Sequence, residues 1–223
     1  MNELYKPVLT HELFDCGISF LKDVFASADY PWQILPKIKG ILEKLIAQGI
    51  DGYTRYSATV LIGDDVKIAP TATIEGYAVL GHGCVVRPGA YIRGNVIAGE
   101  NCVIGNSSEL KNCILLDRVQ VPHYNYVGDS ILGNHAHMGA GSICSNLRAD
   151  GANVVIHGEK EYATGLRKVG AFIADNGDIG CGCVLNPGAV IGKGTSVYPL
   201  TSVRGVMPEN AIVKSMTDII PRC

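Results

Sequence analysis

The chain has 223 residues, 47% of them hydrophobic and 18% charged, with a net charge of −2. That balance supplies a sizeable core and argues against nucleic acid or an anionic membrane surface as the main partner. No apolar stretch approaches the ~18 residues of a membrane span, and the start, MNELYKPVLTHELF, has no basic segment followed by an apolar one. A cytoplasmic location is therefore expected, with the eight cysteines as free thiols rather than a disulfide framework. The 27 glycines and the aromatic share of 7% point to small aliphatic core residues and many tight turns.

The predicted elements begin with a helical N-terminal extension over residues 1–58. Residues 11–27 are read as one helix. A second carries the stripe Leu35, Ile38, Ile41, Leu42, Leu45, Ile46, with Pro36 near its start and Gly49 at its stop. From Ile62 the period becomes six: Ile68, Ile74, Leu80, Val86, Ile92, Ala98, Ile104, Leu110 and Leu116 follow in order. A second column of small or β-branched residues lies four positions later, from Val66 through Cys84, Cys102 and Ser108 to Ile114. The phase shifts near Pro122–Val127, and the period resumes at Ile173, Ile179, Leu185, Ile191, Val197 and Val203. A period of six matches neither a helix nor a lone strand; it matches short strands and turns stacked into a solenoid. Cys84, Cys102 and Cys183 then sit inward as buried thiols. Residues 145–172 interrupt the period as a polar inserted loop, the kind of segment that is usually functional. Residues 59–214 form the repeat domain and 215–223 a tail, with a terminal strand or cap expected over 211–223.

Familiar chemical signatures are absent. Gly188–Lys193 has the wrong spacing for a phosphate loop, and Gly194 follows where Ser or Thr is needed. Neither His135-x-His137 nor Cys181-x-Cys183 completes a zinc ligand set, so no metal is expected.

Four segments are more informative: Arg87-Pro-Gly-Ala90, Gly105-Asn-Ser-Ser-Glu-Leu-Lys111, His123-Tyr-Asn-Tyr126-Val-Gly-Asp129 and Gly139-Ala-Gly141-Ser-Ile-Cys-Ser-Asn146. Together with the hexads, they resemble the acetyltransferase domain of the bifunctional UDP-N-acetylglucosamine pyrophosphorylase/glucosamine-1-phosphate N-acetyltransferase family. The resemblance covers residues 62–214, and the 145–172 loop looks closer to the archaeal members. It implies a left-handed parallel β-helix with three hexads per coil, and a homotrimer with sites between subunits. It also implies transfer of acetyl from acetyl-CoA to an amino-sugar 1-phosphate, without a metal. By position, His123 matches the general base, a role suited to an imidazole that titrates near neutrality. Arg87, Lys111, Tyr126, Asn146 and Lys168 match sugar-phosphate contacts, where cations and amides suit phosphate. Ala140 matches a main-chain donor near the thioester; Cys181 and Pro199 fall at acetyl-CoA positions.

The departures are specific. His137 stands on the sugar-facing wall where the family has Asn, Leu147 replaces Tyr, and the family's Arg near the C-terminus for the CoA phosphate has no clear match, with Lys214 and Arg222 as candidate substitutes. The Arg87-to-Lys111 spacing is longer than the family's by one hexad. The uridylyltransferase domain has no counterpart before residue 62; the helical extension stands there instead and is expected to cover the open edge of the first coil. Two alternatives remain: a non-catalytic trimeric subunit partnering a separate nucleotidyltransferase, and an acyltransferase acting on a nucleotide-linked amino sugar.

Overall fold

The structure, a computed structural model, describes residues 5–222; residues 1–4 of the expected extension and Cys223 of the expected tail lie outside them. The repeat region is a parallel β-solenoid with three faces. Strands from Val60–Ile62 to Val206–Met207 stack on the first face, from Lys67–Ile68 to Ala211–Ser215 on the second, and from Thr73–Glu75 to Ser202–Val203 on the third. Lateral pairing sets adjacent coils about 4.8 Å apart.

The six-residue column forms the interior. Leu80, Val86, Ile92, Ile104 and Leu110 are buried there, one per face as the chain winds. The column departs from its expected phase after Leu110. Leu115, not Leu116, points inward, aligned with Ala98 below and Leu132 above; Cys113, not Ile114, takes the small position. Leu116 and Ile114 face outward. The cause is a shortened corner. Before Val96 the chain turns through Gly94 and Asn95, both at positive φ, whereas before Cys113 it turns through Asn112 alone (φ 49°). Asp129 (φ 47°) makes the next corner the same way. Asn and Asp tolerate this left-handed region better than other residues with a Cβ. The phase shifts thus fall on either side of the expected segment, at Asn112 and Asp129.

The first face is apolar on its outer side as well. Leu61, Val79, Ile97, Ile114, Ile131, Phe172, Val190 and Val206 project away from the solenoid and are buried. The N-terminal extension covers them with Leu13, Phe14, Leu21, Trp32, Ile34, Leu35, Ile38, Leu42 and Ile46. Most of the extension lies along this outward apolar row, which needs burial. The expected cover of the first coil's edge comes from the extension's last segment alone, the antiparallel strand Thr54–Ser57. Within the extension, the helix expected over 11–27 is broken into Thr10–Leu13 and Lys22–Ala26, with a 3-10 turn at Ser19–Leu21. The stripe from Leu35 forms a 3-10 turn and the helix Ile38–Gln48, closed by Gly49 at φ 80°.

Inside 145–172, strands Val155–His157 and Glu161–Ala163 form an antiparallel hairpin. Val154 and Ile156 join the outer layer of the first face, and Tyr162 meets Tyr30 and Trp32 edge-on, tying the insertion to the extension. A second hairpin, Ala211–Ser215 with Asp218–Pro221, closes the far end of the second face and straddles residue 214.

Candidate active site

Two corners of the solenoid collect the residues singled out from the sequence. At the turn from second to third face, each coil places a residue at positive φ: Ser107, Tyr124, Gly141, Gly182 and Leu200 in successive coils. Each N–H donates to a carbonyl one coil below: Tyr124 to Asn106, Gly141 to His123, Gly182 to Ala140, Leu200 to Cys181. His123, Ala140, Cys181 and Pro199, the residues before those donors, therefore stack in a line spanning about 15 Å. His123 and Ala140 are exposed, as is Cys181. The Ala140 N–H makes no hydrogen bond among the described residues. The line continues beside exposed apolar side chains: Tyr124, Ile143, Val184, Tyr198 and Leu200.

At the opposite end of the third face, Asp129 organises a polar cluster. Its side chain is 7% exposed. It accepts from Lys111 Nζ at 3.1 and 3.3 Å, from Asn112 Nδ2 at 2.9 Å and from Asn146 Nδ2 at 2.6 Å. Asn146 Nδ2 also donates to the Tyr126 hydroxyl at 3.2 Å. Burial, then the negative charges of Asp129 and Glu109, raises the Tyr126 pKa, so its phenol stays protonated and able to donate. Lys168 pairs with Leu147 in an isolated antiparallel bridge and, with Arg167, lines a cavity of about 310 Å³ that reaches Asn112 and Asp129. Lys111, Tyr126, Asn146 and Lys168 thus converge around one carboxylate, a few residues of third-face strand away from His123.

Two other positions lie apart from the Asp129 cluster, one of them, Arg87, just before Pro88 at the His123 corner two coils below His123. Arg87 ends a second-face strand, because the extra hexad before Lys111 rotates it by one face. The residue below Lys111 is Arg93, bonded to Glu109 at 3.1 Å. His137 lies on the second face, its Nδ1 2.8 Å from Asp178 Oδ1, apart from the Asp129 cluster within the chain. Asp129 lay inside a quoted motif but drew no role from the sequence, and Asn112 was not singled out. Their signal is the shortened corner itself. Among the described residues, no group of three or more His, Cys, Asp or Glu is placed to hold a metal ion.

The fold and its two corner clusters define a hexapeptide-repeat β-solenoid with a polar site across one face. Residues 74–161 match the family model described as the GMPPB C-terminal domain. The chain is 33% identical over 180 residues to the bifunctional protein GlmU of Methanococcus maripaludis, covering 79% of this chain and 44% of that protein. It is 32% identical over 174 residues to the bifunctional sugar-1-phosphate nucleotidylyltransferase/acetyltransferase of Sulfurisphaera tokodaii, covering 76% and 43%. Among solved structures, the Arabidopsis UDP-N-acetylglucosamine acyltransferase aligns with a TM-score of 0.46 and 14% identity, over 74% of this chain and 65% of that one. The resemblance read from the sequence holds: over more than three quarters of its length the chain is similar to these two bifunctional proteins. It spans less than half the length of either.

Proposed function

We propose that the protein transfers an acetyl group from acetyl-CoA to the amine of an amino-sugar 1-phosphate. The observation that carries this reading is the shared third face: the His123–Ala140–Cys181–Pro199 line runs along one end of it and the Lys111–Tyr126–Asn146 cluster lies at the other. The extended thioester-bearing arm of acetyl-CoA suits the line, and the sugar phosphate suits the cluster. The amine nitrogen attacks the thioester carbonyl carbon, forming the C–N bond. His123 takes the proton that nitrogen sheds. The Ala140 N–H meets the negative charge developing on the carbonyl oxygen. The C–S bond then breaks, and coenzyme A leaves as thiolate and takes the proton held by the His123 imidazolium, which restores the base. Lys111 and Lys168 supply positive charge for phosphate, with Tyr126 and Asn146 as neutral donors. Arg87, and His137 on the neighbouring face, reach such a site in a homotrimer whose subunits meet along this edge, which the exposed Ile143, Val184 and Leu200 side chains support.

The test is thiol release from acetyl-CoA with glucosamine-1-phosphate, galactosamine-1-phosphate and UDP-glucosamine as acceptors. Turnover is expected with a sugar 1-phosphate. Turnover with UDP-glucosamine alone would move the acceptor to nucleotide-linked amino sugars. No turnover with any of them, from folded protein, would contradict the acetyltransferase reading and favour the scaffold role.

A further inference from the structure

The interior of the solenoid is mostly aliphatic, with single polar residues such as Ser130 and Thr195 at other corners, and a run of three polar residues lies beneath the corner that carries His123 and Ala140. There Ser108, Asn125 and Ser142 occupy the small inward column in three successive coils, each at most 3% exposed. Asn125 is the hub. Its backbone N–H donates to Ser108 Oγ at 3.2 Å. Its Oδ1 accepts from the His123 N–H at 3.0 Å. Its Nδ2 donates upward to the Gly139 carbonyl at 2.8 Å and to Ser142 Oγ at 3.0 Å, and Ser142 Oγ donates to the same carbonyl at 2.7 Å.

The Gly139 carbonyl and the Ala140 N–H are opposite ends of one peptide unit. That unit is planar and trans, so its N–H points away from its C=O. Drawing the carbonyl into the interior aims the Ala140 N–H outward, toward the corner where His123 lies. We propose that Asn125 is a positioning residue: one buried carboxamide holds the His123 main chain in one coil and orients the Ala140 N–H in the next. This rests on the reading of that corner as the acyl-transfer site. Asparagine suits the position because the network needs an acceptor facing its own coil and donors facing the coil above. An aspartate would present no donor, a serine would not span the gap, and a valine would leave the His123 N–H without its partner. Asn125 touches neither proposed substrate, and its effect falls on where two catalytic groups stand.

The test replaces Asn125 by Val, which suits the apolar interior, and by Ser, which matches its neighbours in the column. Steady-state kinetics give kcat and KM for acetyl-CoA, and hydrogen exchange read by mass spectrometry follows peptides spanning 120–127 and 137–143. Misplacing a catalytic group by about 1 Å costs on the order of 100-fold in rate. Both variants are therefore expected to lose about 100-fold in kcat, with KM for acetyl-CoA within about threefold of wild type. Exchange should rise about tenfold in the two corner peptides and stay unchanged in peptides of the N-terminal extension. Wild-type kcat in either folded variant would overturn the proposal, as would unchanged exchange in both corner peptides. If Asn125→Val does not fold, Asn125→Ser decides. If the wild-type protein acetylates no amino sugar, the functional reading fails, while the exchange arm still reports whether Asn125 holds the corner.

Discussion

Asp129 draws three donors onto one buried carboxylate, and the balance there is electrostatic. Lys111 is the one cation bonded to it, and its side chain is 25% exposed. Removing one partner of a buried ion pair costs about 3–5 kcal/mol, because the other charge is left uncompensated. Asp129→Ala should therefore destabilise the fold by about 3 kcal/mol, the low end reflecting the partial exposure of Lys111. Urea unfolding checks this; a loss below about 1 kcal/mol would mean that the pair is effectively solvated. Lys111, Tyr126 and Asn146 were legible in the sequence because they sit in motifs of preserved spacing. Asn125 was not, since a lone Asn between two tyrosines reads as loop. Its signal was a polar residue in register with Ser108, visible once the five-residue step after Leu110 is known. Arg87 shows the converse: its motif was recognisable, but the extra hexad carries it to another face.

The N-terminal extension is joined to the solenoid by packing and by one charged clasp. Lys193 Nζ lies 2.9 Å from Asp15 Oδ2 and 3.4 Å from Asp175 Oδ2, and Asp175 also accepts from the Asp15 N–H. Burial would lower the Lys193 pKa, but the hydrogen bond to Asp15 and the charges of Asp175 and Asp15 outweigh it and hold the pKa above its ordinary 10.5. A folded-state pKa raised above the unfolded value contributes stability that is fully present below about pH 10.5 and is lost as pH rises through the folded-state value. Wild-type protein should therefore be more stable than Lys193→Met at neutral pH, with the gap closing above about pH 10.5. Unfolding curves at pH 8 and at about pH 12 test this, and a gap that widens with pH would contradict it. The helix at Ile38–Gln48 was legible from its stripe. Its docking along the first face was not, since the extension was expected over the first coil's edge, although runs such as Ala78-Val-Leu80 and Cys113-Ile-Leu115 are apolar at every position. Such runs signal strands covered on both sides. The break between Leu13 and Lys22 follows no strong sequence signal beyond Gly17.

At the scale of the whole molecule, the period of six dictates the outcome. Short strands and tight corners repeat, so residues far apart in sequence line up coil upon coil. His123 and Cys181, separated by the 145–172 insertion, end two coils apart on one edge. The insertion and the extension together cover the first face and leave the second and third open, with the candidate site spanning the third face from its corner with the second to the Asp129 corner. The solenoid was legible because inward aliphatics recur at fixed intervals. The one-residue slips at Asn112 and Asp129 were not, because the outward neighbours Ile114 and Leu116 are as apolar as the inward ones. The measurement that tests the central claim most directly is the turnover number of His123→Ala beside wild type, with the best amino-sugar acceptor and circular dichroism to confirm the fold. Loss of general-base assistance is typically worth about 10²–10⁴-fold. A fall in kcat of at least about 100-fold with an unchanged spectrum is predicted; wild-type turnover in folded His123→Ala would contradict the assignment of this corner as the site of proton removal.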